Sequence, residues 1–280
     1  MGDSKQGNLI VKPIPIPAAK DARPVKGGAL VSECFANILA CARKKSGKTT
    51  VVRHTVNECA VPGYTTVFAF ASTIDKDDNW LAIRKELEDK GVAIVPFNSI
   101  HEDGVDQLAM LVQQLQTEAK AEQVAKEAKK MAKLEGITKP PVIRCDEDDE
   151  DCKEDKPKKK KKLKYRAPKY IIVLDDLSDE LKSKSLVKLL KMNRHFQTKV
   201  IVSTQYLKDL LPEQIKQFDV ILLFRDLTDK QLEHLFTHAS LSVKFSEFLE
   251  MYKKATSEPY GFLYVDTRED KFRTNFDRPF

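Results

Sequence analysis

The sequence predicts an α/β fold, a mostly parallel central sheet flanked by helices. Three observations carry this. Apolar runs of strand length alternate with helix-like segments over 35–96 and again over 170–266, the order that crossover helices impose on parallel strands. Four of the runs lead into polar side chains: Lys48, the pair Asp175 and Asp176, Gln205, and Arg225. Those are the strand ends where open α/β sheets hold ligands. The 280 residues, 41% hydrophobic with 10 glycines, suffice for one large domain with insertions or two small ones.

The first unit is the most informative. Residues 35–40, FANILA, read as a short buried strand, 41–46 as a basic loop and 51–59 as a helix. At the junction stand Ser46, Gly47, Lys48 and Thr49, the end of the phosphate-loop pattern G-x-x-x-x-G-K-[ST], with Ala42 where the first Gly is usual. Ala serves there if its φ is negative. Backbone N–H groups over 44–49 can curl around a β-phosphate, and the helix N-terminus adds partial positive charge. Lys48 can reach the β- and γ-phosphates, and the Thr49 hydroxyl can ligate Mg²⁺. The candidate ATP-binding residues are therefore Ala42, Arg43, Lys44, Lys45, Ser46, Gly47, Lys48, Thr49 and Thr50. The competing reading is a basic turn before a helix, and the flanking strand and helix weigh against it.

The remaining elements follow in order. Residues 1–30 form a polar arm whose Pro13, Pro15, Pro17 and Pro24 forbid helix and favour extended backbone. Residues 31–280 form the domain. Residues 65–70, TTVFAF, are a second strand, 80–90 a helix capped by Gly91, and 92–96 a third strand. Residues 105–134 hold no Gly or Pro and predict one long helix. Its apolar stripe, Leu108, Leu111, Val112 and Leu115, thins past Thr117 to Val124, Ala128 and Met131. Pro140 and Pro141 end it, and a charged insertion runs to 164, with acids from 146 to 151 and lysines from 158 to 162. Such blocks bury too little apolar surface to fold. Strands are expected at 170–174, 199–203, 219–224 and 262–266. Helices are expected at 181–192, 207–211 (stopped by Pro212), 227–238 and 243–254, with an aromatic and basic tail over 271–280.

Composition excludes several classes. No window of 18 apolar residues offers a membrane span, and the first residues carry no apolar run of the secretory kind. The five cysteines form no C-x-x-C, so reduced thiols are the simplest reading. His234 and His238 stand four apart without an acid of the zincin type between them and read as helix-surface residues. Net charge is +6, which accommodates a polyanionic partner without demanding one.

Phosphoryl transfer requires γ-phosphate charge to be neutralised and a water to be placed in line. Asp175 is the candidate Mg²⁺ ligand with Thr49, and Asp176 the candidate general base. Gln205 can sense the γ-phosphate. Arg225 or Arg194 can stabilise transition-state charge across a subunit boundary. The plainer readings are a surface salt bridge of Arg225 with Asp226 or Asp229, and a helix C-terminal cation at Arg194.

The segments ILACARKKSGKTT, YIIVLDDLSDE, NRHF, KVIVSTQYLKDLLPEQIKQFDVILLF and PYGFLYVDTREDKFRTNFD together resemble the DNA-packaging ATPases of nucleocytoplasmic large DNA viruses. These are similar to the poxvirus packaging ATPase and sit in the FtsK–HerA branch of P-loop motors. The resemblance spans roughly 31–100 and 165–280. It implies a RecA-like P-loop NTPase fold with the sensor strand between the Walker A and Walker B strands. It implies that Lys48 and Thr49 bind ATP and Mg²⁺, that Asp175 and Asp176 form the Walker B pair, and that Gln205 is the sensor. The implied partners are double-stranded DNA, viral capsid or procapsid proteins and further copies of the chain in a homo-oligomeric ring, inside the infected host cell. Ala42 and the large segment 105–164 depart from the family pattern. A non-packaging translocase or helicase, and a nucleotide-binding capsid scaffold without hydrolysis, remain open.

Overall fold

The computed structural model describes residues 21–134 and 163–280. The first part of the expected arm and the charged runs of the insertion lie outside these residues. The strands are β1 (Asn37–Cys41), β2 (Thr66–Ala71), β3 (Ala93–Phe97), β4 (His101–Glu102), β5 (Val105–Asp106), β6 (Tyr170–Asp175), β7 (Thr198–Thr204), β8 (Val220–Phe224), β9 (Phe262–Asp266), β10 (Lys271–Thr274) and β11 (Arg278–Pro279). The helices are α1 (Lys48–Cys59), α2 (Asp78–Asp89), α3 (Gln107–Leu134), α4 (Lys184–Met192), α5 (Pro212–Ile215), α6 (Asp229–Ala239) and α7 (Phe245–Ala255).

Nine strands form one sheet in the order β11-β10-β9-β8-β1-β7-β6-β2-β3, while β4 and β5 make a separate hairpin. From β3 to β8 every pairing is parallel. β9, β10 and β11 continue the sheet antiparallel. The strand ending in Gln205 thus lies between the strand before the phosphate loop and the strand ending in Asp175, as the resemblance implied.

Alternation along the strands splits the apolar residues between two cores, one on each face of the sheet. Ile38, Ala40, Ile171, Val173, Ile201 and Leu222 face α1 and α2, where Val52, Val56, Trp80, Ile83 and Leu87 meet them. Leu39, Cys41, Ile172, Leu174, Val200 and Val202 face the other helices, against Leu108, Leu111, Leu186, Leu189, Leu235 and Phe248. Both faces of the central strands are covered, so those strands read as unbroken apolar runs. Truncating one of the buried Leu or Ile side chains to Ala costs about 2–5 kcal/mol. Pro279 falls on edge strand β11, where a missing N–H breaks no ladder.

Several expected boundaries are corrected. The long helix begins at Gln107, because Val105 and Asp106 pair with β4, and Asp106 Oδ1 accepts the Ala109 N–H at 2.7 Å. The expected helix 181–192 breaks at Ser183. A 3-10 turn over Ser178–Lys182 precedes it, and the Ser183 hydroxyl accepts the Leu186 N–H at 3.1 Å to start α4. Pro212 opens α5 instead of stopping a helix, since the first helical position needs no N–H donor. The tail 271–280 is sheet, β10 and β11. Of the arm, residues 21–30 are tied to the domain: Val25 bridges Arg166, and the Lys26 N–H donates to Arg166 O at 2.8 Å.

The apolar stripe of α3 is buried as its spacing predicts, while Val124 and Met131 are exposed. Halfway along, Glu118 and Glu122 receive Lys169 Nζ at 3.1 and 3.2 Å and fasten α3 to the amino end of β6. Cys34, Cys41 and Cys59 are free thiols in the interior, and burial raises the Cys41 thiol to about 12. Among the described residues no helix is long and apolar enough to cross a membrane.

Candidate functional site

The site is built where β1 stops. The Ala42 N–H donates to Thr204 O at 3.0 Å, pinning the start of the loop to the end of β7. Ala42 is buried and keeps an ordinary negative φ; the loop's left-handed turns fall at Lys45 (φ 63) and Gly47 (φ 89). That is why Ala is tolerated where the pattern has Gly. The Ser46 hydroxyl donates to Arg43 O at 2.7 Å and closes the turn, and the first backbone bond of the helix is Val51 N–H to Gly47 O at 3.1 Å. Among the described residues, the amides of 43–50 find no backbone acceptor. They are the free donors that a helix start presents to an anion.

Lys48 is almost fully buried, with Nζ 3.7 Å from Asp175 Oδ1 and 3.8 Å from Asp176 Oδ1. Both separations exceed hydrogen-bond length, so the ammonium hangs between two carboxylates with donors to spare. Asp175 is the last residue of β6, in register with Ser203 of β7 and Ala71 of β2. Its Oδ2 accepts from Trp80 Nε1 at 3.1 Å, and its buried Oδ1 has no hydrogen-bond partner among the described residues. Asp176 turns left-handed (φ 55) while its N–H still donates to Ser203 O at 3.0 Å. That backbone swings its carboxylate out of the sheet, where Gln205 Nε2 donates to Oδ2.

These groups line one cleft of about 450 Å³ together with Arg43, Lys44, Lys45, Thr49, Thr50, Thr73, Asp77 and Asn79. Three sequence-predicted groups therefore converge there: the loop, the Asp175–Asp176 pair and Gln205. Two arginines do not. Arg225 follows β8 outside the cleft lining, half exposed, 3.8 Å from Asp226. Arg194 lies at the opposite, amino-terminal end of the sheet. There its guanidinium donates to Asp219 Oδ1 at 3.0 Å, beside the Asn37 N–H that donates to the same carboxylate. Burial raises Asp219, and the Asn37 amide and the two nearby guanidiniums, Arg194 and Arg268, oppose that rise. His234 and His238 meet edge to face on α6, and partial burial with the neighbouring imidazole lowers His234.

Sequence reasoning missed the second wall of the cleft. The Asp77 carboxylate accepts the Asn79 N–H at 2.7 Å and caps α2 two residues ahead of the expected start. An Asp before an amphipathic segment is a readable helix start. Trp80, the single tryptophan of the chain, has no such signal, because its partner Asp175 is 95 positions away. Trp80→Phe is expected to preserve packing, release Asp175 Oδ2, and weaken Mg²⁺ binding at the cleft about tenfold in a direct titration. An unchanged Mg²⁺ titration would reduce that bond to a packing contact.

Residues 148–266, less than half of the chain, match the family model of the Poxvirus A32 protein. Among curated proteins no sequence matches. The genome packaging NTPase B204 from Sulfolobus turreted icosahedral virus 2, solved with AMPPCP, superposes with a TM-score of 0.50 at 16% identity, over 87% of this chain and 98% of that one. EssC (ATPases 2 and 3) from Geobacillus thermodenitrificans superposes with a TM-score of 0.51 at 12% identity, over 86% of this chain and 39% of that one. At such identities these two likenesses are likenesses of fold.

Proposed function

We propose that this P-loop ATPase is a viral genome-packaging motor, which drives double-stranded DNA into a capsid as a ring of identical subunits in the infected host cell. The observation that carries the reading is the convergence of Lys48, Asp175, Asp176 and Gln205 on the phosphate loop, inside a chain whose residues 148–266 match a poxvirus family.

The geometry supports a division of labour. Free amides of the loop bind the phosphates, and Lys48 leaves its two carboxylates to meet the γ-phosphate. The donor set fits Mg²⁺, which is satisfied by one or two protein oxygens beside phosphate and water. Asp175 Oδ1 is buried and has no hydrogen-bond partner among the described residues, and Thr49 stands in the first turn of α1 at the same cleft. Asp175 and Thr49 would hold Mg²⁺ there, and the ion would supply neutralising charge to the bound phosphates. Asp176 is turned toward the cleft and takes the proton of the attacking water. Gln205, bonded to Asp176, couples the presence of the γ-phosphate to the end of β7. Arg225 is free to reach a neighbouring subunit's nucleotide, because its exposed pair with Asp226 contributes only about 0–1 kcal/mol.

The reading is tested by hydrolysis of ATP by the purified protein with and without double-stranded DNA. DNA is expected to raise the rate several-fold, with the effect fading as salt screens the phosphates. A rate indifferent to DNA at low salt overturns the motor. Co-sedimentation with procapsids then separates packaging from other translocation.

A further inference from the structure

We infer that Tyr260 is the platform on which the base of the bound nucleotide lies. This rests on the nucleotide-binding reading above and adds where the nucleoside goes. In the sheet, β7 and β6, which bring Gln205, Asp175 and Asp176, flank β1 on one side; β8 and β9 flank it on the other. A triphosphate laid along the loop with its γ end at Lys48 and Asp176 therefore directs its α-phosphate and nucleoside toward the β8–β9 side.

Tyr260 stands at that side. It immediately precedes Gly261 and β9, whose first residue Phe262 pairs with Phe224 at the carboxyl end of β8. Its ring lies against the phosphate loop, so close that a Cβ on Gly47 would meet Tyr260 Cδ1 at 3.2 Å. Yet the residue is 70% exposed, the most exposed of the chain's large apolar and aromatic residues among those described. One aromatic face is thus open beside the loop.

The position is held rather than incidental. Tyr260 is left-handed (φ 63), a conformation that a bulky side chain rarely adopts. The turn around it is pressed onto the end of α7. The Gly261 N–H donates to Glu258 O at 3.1 Å, and a side chain on Gly261 would strike Ala255 O at 2.5 Å. Backbone strain of this kind persists where the surroundings enforce it, and it gathers at ligand clamps. The other exposed tyrosine near the cleft, Tyr206, follows Gln205 on the γ-phosphate side and is engaged by Lys208 Nζ 5.3 Å from its ring. That is the wrong end of the triphosphate for a base.

A flat aromatic face stacks on any base and gives nothing to a bare phosphate chain. The test therefore measures dissociation constants of Mg-ATP and of inorganic tripolyphosphate by calorimetry, for the whole chain and two variants. Tyr260→Asn removes the ring with a residue that tolerates positive φ. Tyr260→Phe keeps the face. The expected result is a loss of about tenfold or more for ATP in the Asn variant, with tripolyphosphate binding unchanged and the Phe variant like the parent. Equal ATP affinity in the Asn variant overturns the platform, as does a parallel loss of both ligands, which reports a distorted loop. A parent chain that binds neither ligand overturns the nucleotide reading itself.

Discussion

Lys48→Ala is expected to lower ATP turnover by about 10²–10³-fold or more while leaving the fold intact, the size of effect that removing a transition-state donor produces. The expected loss is chemical because, among the described residues, no other cation pairs with Asp175 or Asp176. Arg43, Lys44 and Lys45 line the cleft but are exposed, whereas Lys48 Nζ sits buried between Asp175 and Asp176. The fold survives because the helix start is held by backbone, through the Val51 N–H bond to Gly47 O and the Ala42 bond to Thr204 O. The variant does leave the buried Asp175 carboxylate with one fewer compensating charge, and a modest fall in thermal stability is expected with it. Hydrolysis assays and a thermal melt on the same preparation decide the matter. Unchanged hydrolysis would sink the assignment of the loop.

The second large effect separates the paired carboxylates. Asp176→Asn is expected to keep Mg-ATP binding and lose about 10²–10⁴-fold in turnover, because the proposed base is gone while Asp175 and Thr49 remain. Its amide oxygen can still accept from Gln205 Nε2, so the contact between the β6 and β7 ends is kept. Asp175→Asn is expected to act on the metal instead, shifting the Mg²⁺ titration to higher concentration. Trp80 reports the difference: its indole N–H is bonded to Asp175 Oδ2, so the fluorescence of this single tryptophan should respond to metal in the Asp176 variant and not in the Asp175 variant. Identical behaviour of the two variants in both titrations and turnover would refute the division.

What the sequence made readable follows from how local each cause is. The last expected strand, 262–266, matches β9 residue for residue, since four apolar or aromatic residues in a row, Phe262 to Val265, leave little choice. Helix ends moved wherever a short polar residue intervened, as Asp77 and Ser183 did, because capping is a competition that apolar periodicity does not register. The strands of the tail were hidden because Lys271, Phe272 and Arg273 acquire their role only from pairing with Asp266, Val265 and Tyr264. In the cleft, the loop and the aspartate pair announced themselves by spacing. Trp80 and Tyr260 did not: one is defined by a bond from α2 to the distant end of β6, the other by a backbone turn that composition does not encode.

The fastening of α3 to β6 gives the subunit two poles. The helix starts beside the carboxyl ends of the strands, where the Gln107 N–H donates to Ile100 O at 2.8 Å, and it is riveted at Glu118 and Glu122 to the amino end of β6. From Glu122 to Leu134 it continues about 18 Å farther, at 1.5 Å per residue. It thus acts as an outrigger pointing away from the cleft. Leu134 is the last described residue of that outrigger, and in sequence it stands shortly before the chain's densest run of acids and lysines. Asp175 at the cleft and Lys169 at the rivet bound one strand, β6, so any shift of that strand is passed to the cleft and the outrigger together.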